Sequence, residues 1–145
     1  FSKGLGAPMG SALAGSKALI ERVRRLKQLY GGGFRQAGMM AAGALHALEH
    51  HRDRIGDDHR RARRLAEGLA ELPGIEVGLV AVETNIVRFR TRSRSAPALV
   101  RACERYGVGL LAVGRAEVRA VLHLDISDDD VDEAIAVVRG VLAEE

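Results

Sequence analysis

Lys3 lies in the run Ser2-Lys3-Gly4-Leu5-Gly6-Ala7-Pro8, and a lysine framed by glycines and a proline belongs to a loop with little side-chain bulk around its amine. Such an amine can form a Schiff base with a carbonyl, provided that a water-poor pocket lowers its pKa and leaves it nucleophilic. The spacing equally fits an ordinary loop lysine, because glycine and proline mark loops of every kind. A second cluster, His46-Ala-Leu-Glu49-His50, matches the His-x-x-Glu-His pattern in which two histidines on one helical face ligate zinc and the glutamate activates water. A third ligand, Glu117 or Glu133, would have to come from the fold. His51 and the charges around Asp53 also fit an exposed helix end, where histidines complement the helix dipole. Two further segments are weak signals when taken alone: Tyr30-Gly-Gly-Gly-Phe-Arg35-Gln36-Ala-Gly38 and Val118-Arg119-Ala-Val-Leu-His123-Leu-Asp125-Ile-Ser127.

These residues need elements to position them, and the hydrophobic pattern supplies candidates. Residues 10–15 read as a short buried strand of small residues; Ser16 then caps a helix with Leu19, Ile20, Val23, Leu26 and Leu29 at helical spacing, stopping at the glycines 31–33. Three consecutive glycines permit positive φ and close approach of another backbone or a ligand. A second helix is expected from Phe34 or Arg35 to the histidines at 50 and 51, and a third from about Asp53 to a stop at Pro73-Gly74. Residues 75–82 and 85–91 alternate as strands. A helix from Ser95 to about Tyr106 precedes two strands, 108–113 and 117–124, and Ser127 caps a final helix whose first turn carries Asp128, Asp129 and Asp130. The second part is thus an α+β unit with a mostly antiparallel sheet and helices on one face. The division falls between 49 and 58, giving segments 1–50 and 51–145.

Composition narrows the classes. A chain of 145 residues that is 47% hydrophobic can bury a real core, but aromatics are only 3%, so Ala, Val and Leu must fill it and base-stacking readers of single strands are disfavoured. The lone Cys103 excludes an internal disulfide and lies in an apolar stretch, as a buried structural thiol would. No apolar run reaches membrane-spanning length and no basic-then-apolar leader precedes Lys3, so a cytoplasmic protein is expected. Residues 1–64 hold 13 Lys and Arg against 5 Asp and Glu, and the remainder 9 against 14, so the net +3 divides into +8 and −5. The excess lies in Arg22-Val-Arg24-Arg25-Leu-Lys27 and Arg60-Arg61-Ala-Arg63-Arg64, both in helical patterns. These suit a solvated or subunit-facing helix surface, or phosphate contact. A basic nucleic-acid module remains an alternative, without aromatics or a reading motif to support it.

Taken in order and at these separations, the Lys3 segment, the arginine-rich helix, the Gly-Gly-Gly-Phe-Arg35-Gln36-Ala-Gly38 turn and the Arg119…His123-Leu-Asp125-Ile-Ser127 stretch resemble the low-specificity L-threonine aldolase family. That resemblance covers essentially the whole chain. It implies a pyridoxal 5′-phosphate (PLP) enzyme of fold type I, α/β overall, of which this chain is the C-terminal portion: the end of the large domain (1–50) and a small α+β domain (51–145). Lys3 would bond C4′ of PLP, Arg119 would hold the substrate α-carboxylate bidentately, and Arg35 would lie near the cofactor phosphate. Retro-aldol cleavage of L-threonine-type β-hydroxy amino acids to glycine and an aldehyde follows from the resemblance, as does a homodimer or homotetramer for the parent. The groups that stack on the ring, pair its nitrogen and surround the β-hydroxyl would lie upstream. A zinc peptidase-like domain built on His46, Glu49 and His50 is the rival reading; no metal is expected for the aldolase.

Overall fold

The structure, a computed structural model, describes residues 1–144. The chain divides into two compact units, Phe1–Asp53 and Arg54–Glu145.

In the first unit Ser16 opens helix α1 (Lys17–Leu29): its backbone stays extended while its hydroxyl accepts from the Leu19 amide at 3.3 Å. This satisfies one of the orphan donors at a helix start. The helix ends at Tyr30, where Gly31 takes φ +77°, its amide donates to the Gln28 carbonyl, and the Gly32 amide donates to the Lys27 carbonyl at 2.7 Å. That pair of bonds is a Schellman cap. A Cβ on Gly32 would stand 3.0 Å from the Lys27 oxygen, so the helix's own end leaves little room for a side chain there.

A turn then leads to α2 (Gly38–His50). The expected start at Phe34 or Arg35 moves to Gly38 because Gln36 adopts φ +52°, a left-handed conformation that breaks the helical run before it. Residues 10–15, expected as a buried strand, are irregular and exposed. A strand needs a neighbour for its amides and carbonyls, and the first unit contains no strand among the described residues. Helix α1 buries none of its residues, and Ala7 and Ala47 are the buried apolar residues described in this unit.

The second unit is built on a four-stranded antiparallel sheet in the order β1-β2-β4-β3, from β1 (Ile75–Val77), β2 (Ile86–Thr91), β3 (Leu111–Ala112) and β4 (Glu117–Val121). Strand β1 is shorter than its alternation implies, since a 3₁₀ turn takes over at Leu79–Ala81. β3 is likewise reduced to two residues. Val87, Phe89, Val118 and Ala120 alternate onto one sheet face, where they join Leu65 and Leu69 of α3 (Ile55–Ala70), Leu99 of α4 (Ala96–Glu104) and Val138 of α5 (Asp128–Ala143) in one core. Burying each large side chain contributes about 1.5–3 kcal/mol. Helices α3 and α5 approach closely, for a Cβ on Gly68 would lie 2.4 Å from Ile135 Cδ1. Ser127 and Asp130 close the capping box that starts α5.

Candidate functional site

Lys3 occupies a tight turn in which the Gly6 amide donates to the Lys3 carbonyl at 2.8 Å and Gly6 takes φ +69°. The side chain is exposed, and no hydrogen bond or ion pair engages its amine among the described residues. The turn itself is well anchored. Ala7 is buried; a Cβ on Gly43 of α2 would lie 3.1 Å from Pro8 Cδ; and His51 Nδ1 lies 2.8 Å from the Leu5 carbonyl. Among the described residues the exposed amine does not have the water-poor surroundings that activate a Schiff-base lysine, while the turn fixes the backbone from which it leaves. The link through His51 spans 46 residues and leaves no trace in any local motif.

Arg35 lies in the turn ahead of α2, three residues before the helix begins, exposed and without a partner among the described residues. The left-handed Gln36 beside it redirects the chain, and Phe34, Met40 and Leu45 border an open apolar depression next to the glycine turn. Lys3 and Arg35 belong to the first unit, Arg119 to the second.

Arg119 lies on β4, opposite Arg88 of β2 and Leu111 of β3. Since Val118 and Ala120 face the core, strand alternation puts Arg119 on the other face of the sheet. Its Nε is buried and unpaired among the described residues, as are Arg54 Nη1, Asp58 Oδ2 and Thr91 Oγ1, an arrangement that costs free energy unless water or a ligand answers it. Arg88 contrasts with it, because its Nε meets Glu117 at 2.9 Å. Further along, the Asp125 amide donates to His123 Nδ1 at 3.4 Å, which turns the chain toward α5.

The basic run on α3 has a different use from the phosphate contact considered for it. Arg61 Nε donates to Asp128 at 2.8 Å, Arg60 reaches the same carboxylate at 3.1 Å, and Arg64 pairs with Asp132, all on α5. Arg63 bonds Glu67 and the Leu79 carbonyl. Hydrogen bonds from Arg61 and Arg60 hold the Asp128 carboxyl below its ordinary value, and bonds from Ser127 do the same for Asp130. Cys103 is fully buried, and burial pushes its thiol pKa up. It is a packing residue.

The histidines cluster: the His46 and His50 ring centroids are 4.3 Å apart with the rings tilted by 48°, and His51 meets His46 edge-on at 5.4 Å. Among the described residues no group of three or more His, Cys, Asp or Glu is placed to hold a metal ion. No described helix is long and apolar enough to cross a membrane.

A family model, Beta-eliminating lyase, matches residues 1–92. Probable low-specificity L-threonine aldolase 2 of Arabidopsis thaliana is 41% identical over 139 residues, which are 94% of this chain and 39% of that protein. The low specificity L-threonine aldolase of Escherichia coli (strain K12) is 37% identical over 143 residues, 99% of this chain and 41% of that one. This chain therefore spans about two fifths of the length of these relatives. A solved protein of Exiguobacterium sp. 255-15, whose name pairs aromatic amino acid beta-eliminating lyase with threonine aldolase, superposes with TM-score 0.71 at 22% identity, over 96% of this chain and 42% of its own. A C-DES variant with glycine covalently linked to its PLP cofactor superposes with TM-score 0.58 at 20% identity, over 71% of this chain and 28% of that one. The shared fold is that of the PLP fold type I proteins.

Proposed function

The chain belongs to the Beta-eliminating lyase family, and from that premise we propose that it forms the C-terminal part of a PLP-dependent aldolase cleaving L-threonine-type β-hydroxy amino acids to glycine and an aldehyde. The observation that carries this reading is Lys3, whose unpaired amine extends from an anchored turn within the matched segment. The named activity of relatives 37–41% identical supports the same chemistry.

The chemistry of three side chains suits the cofactor and substrate: an amine on Lys3 and guanidinium groups on Arg35 and Arg119. Lys3 Nζ would hold PLP covalently, and the exposed Arg35 guanidinium would pair with its phosphate. Arg119, whose buried Nε lacks a partner, would take the substrate carboxylate in a bidentate pair and fix the orientation of the Cα–Cβ bond. When bound, PLP supplies an electron sink for the pair released as that bond breaks. A base outside this chain would take the β-hydroxyl proton as that carbon becomes the aldehyde carbonyl, and a proton delivered to Cα would give glycine. The Lys3 amine would be the group that the amino-acid amine replaces on binding and that replaces the glycine amine on release. We further propose that the parent works in the cytoplasm as a homodimer or homotetramer.

The test is to join this chain to the upstream segment that its relatives carry, add PLP, and supply L-threonine. A visible absorbance band that is lost in Lys3→Ala, with acetaldehyde released, supports the reading. Absence of both, together with stoichiometric zinc that is lost in His46→Ala, would overturn it in favour of the peptidase.

A further inference from the structure

Leu5 and Pro8 of the lysine turn meet a single stripe of α2. Gly43, Ala47 and His51 follow one another at four-residue spacing and so share one helical face. At one end of the stripe the missing side chain of Gly43 admits Pro8, since a Cβ there would be 3.1 Å from the proline ring. In the middle Ala47 is 1% exposed. At the other end His51, the C-cap of α2, has its backbone amide bonded to the Ala47 carbonyl at 2.9 Å and its ring nitrogen Nδ1 at 2.8 Å from the Leu5 carbonyl. A carbonyl oxygen only accepts, so Nδ1 carries the proton in this contact. The Lys3 carbonyl accepts from Gly6, and the Leu5 carbonyl between them accepts from the ring.

We propose that His51 is a positioning residue for Lys3: its Nδ1–H bond to Leu5, with the Gly43–Ala47 stripe behind the turn, sets the height and direction from which the lysine amine leaves the backbone. This inference rests on the aldolase reading of Lys3. Displacing a reactive group by about an ångström can lower a rate by as much as a hundredfold. Loss of one anchor among several should therefore lower kcat about tenfold while leaving KM within about twofold.

The experiment uses the full-length, PLP-loaded parent and compares His51→Ala, His51→Asn and His51→Gln. The Asn amide can present N–H near the place of Nδ1, whereas the longer Gln amide reaches toward the place of Nε2. Two signals are read: kcat and KM for L-threonine, and the induced circular dichroism of the visible band, which reports how the cofactor is oriented on its lysine. The proposal expects His51→Ala and His51→Gln to lose about half or more of the dichroic amplitude with the drop in kcat, and His51→Asn to retain both. If His51→Ala fails to fold, the Asn and Gln variants decide. Equal behaviour of these two, or an unaltered dichroic band in His51→Ala, overturns the proposal. A wild-type parent with neither a visible band nor acetaldehyde release would instead refute the aldolase reading, which separates the two failures.

Discussion

Arg61 Nε donates to Asp128 Oδ1 at 2.8 Å, tying the middle of α3 to the first turn of α5. The same carboxylate lies at the positive end of α5, where the helix dipole favours a negative charge. The basic helix and the acidic helix start, conspicuous as opposite halves of the charge distribution, thus meet within one unit.

This pairing makes the second unit acid-sensitive. The Asp128 and Asp130 carboxyls are depressed below the ordinary 3.8 in the folded chain, so their contribution to stability is fully present above that value. It is lost as pH falls through the folded-state pKa values. Thermal melts recorded from neutral pH down into this range should show the melting temperature falling most steeply below about pH 4. Asp128→Asn should flatten that acid limb and lower the melting temperature at neutral pH. An unchanged limb would show that the pair does not couple to folding.

Cys103 should resist thiol reagents in the folded protein and react once it unfolds, because burial both shields the sulfur and raises its pKa. Reaction with a chromogenic disulfide under native conditions, and again in denaturant, checks this. Cys103→Ser should cost about 1–3 kcal/mol through the buried hydroxyl it introduces.

Gly68→Ala should destabilise the second unit despite the better helix propensity of alanine. The new Cβ would lie 2.4 Å from Ile135 Cδ1 and 3.0 Å from its Cγ1, and such overpacking costs about 1–3 kcal/mol against a propensity gain of about 1 kcal/mol. Combining it with Ile135→Ala should recover part of the loss that the two single changes sum to, as read from denaturant midpoints.

Arg119→Ala in the full-length parent should raise KM for L-threonine about a hundredfold through loss of the charge-assisted carboxylate contact. Cofactor binding should be unchanged. The substitution removes no core contact from Val118 or Ala120, which face the other side of the sheet, so the melting temperature should be nearly unaffected. Arg119→Lys should rescue KM only in part, since a point charge cannot reproduce the planar fork. An unaltered KM in Arg119→Ala would remove Arg119 from the substrate site.

Much of the fold was legible where the signal is local. Ser16, Ser95 and Ser127 marked three helix starts, and the alternation over residues 85–91 marked the strand that forms β2. The errors occurred where local pattern and tertiary partner diverge. Residues 10–15 have strand-like composition but no neighbouring strand, and the aliphatic run through Val80 leaves the sheet at Gly78, so that Val80 is 93% exposed. Lys3, Arg35 and Arg119 are proposed from ordered motifs in the sequence, the first two from one unit and the third from the other. The glycines 31–33 read equally as a ligand cradle, although Gly31 and Gly32 have a sufficient cause in capping α1. His51 was invisible as an anchor, because the partner it meets lies 46 residues away and is a backbone carbonyl that any residue could offer.

Chemical trapping measures directly whether Lys3 holds the cofactor. The full-length protein loaded with PLP is reduced with borohydride, digested, and the modified residue mapped by mass spectrometry. A reduced pyridoxyl adduct is expected on Lys3, and it should disappear in Lys3→Ala. An adduct on Lys17, Lys27 or a lysine outside this chain, or no adduct at all, would contradict that role.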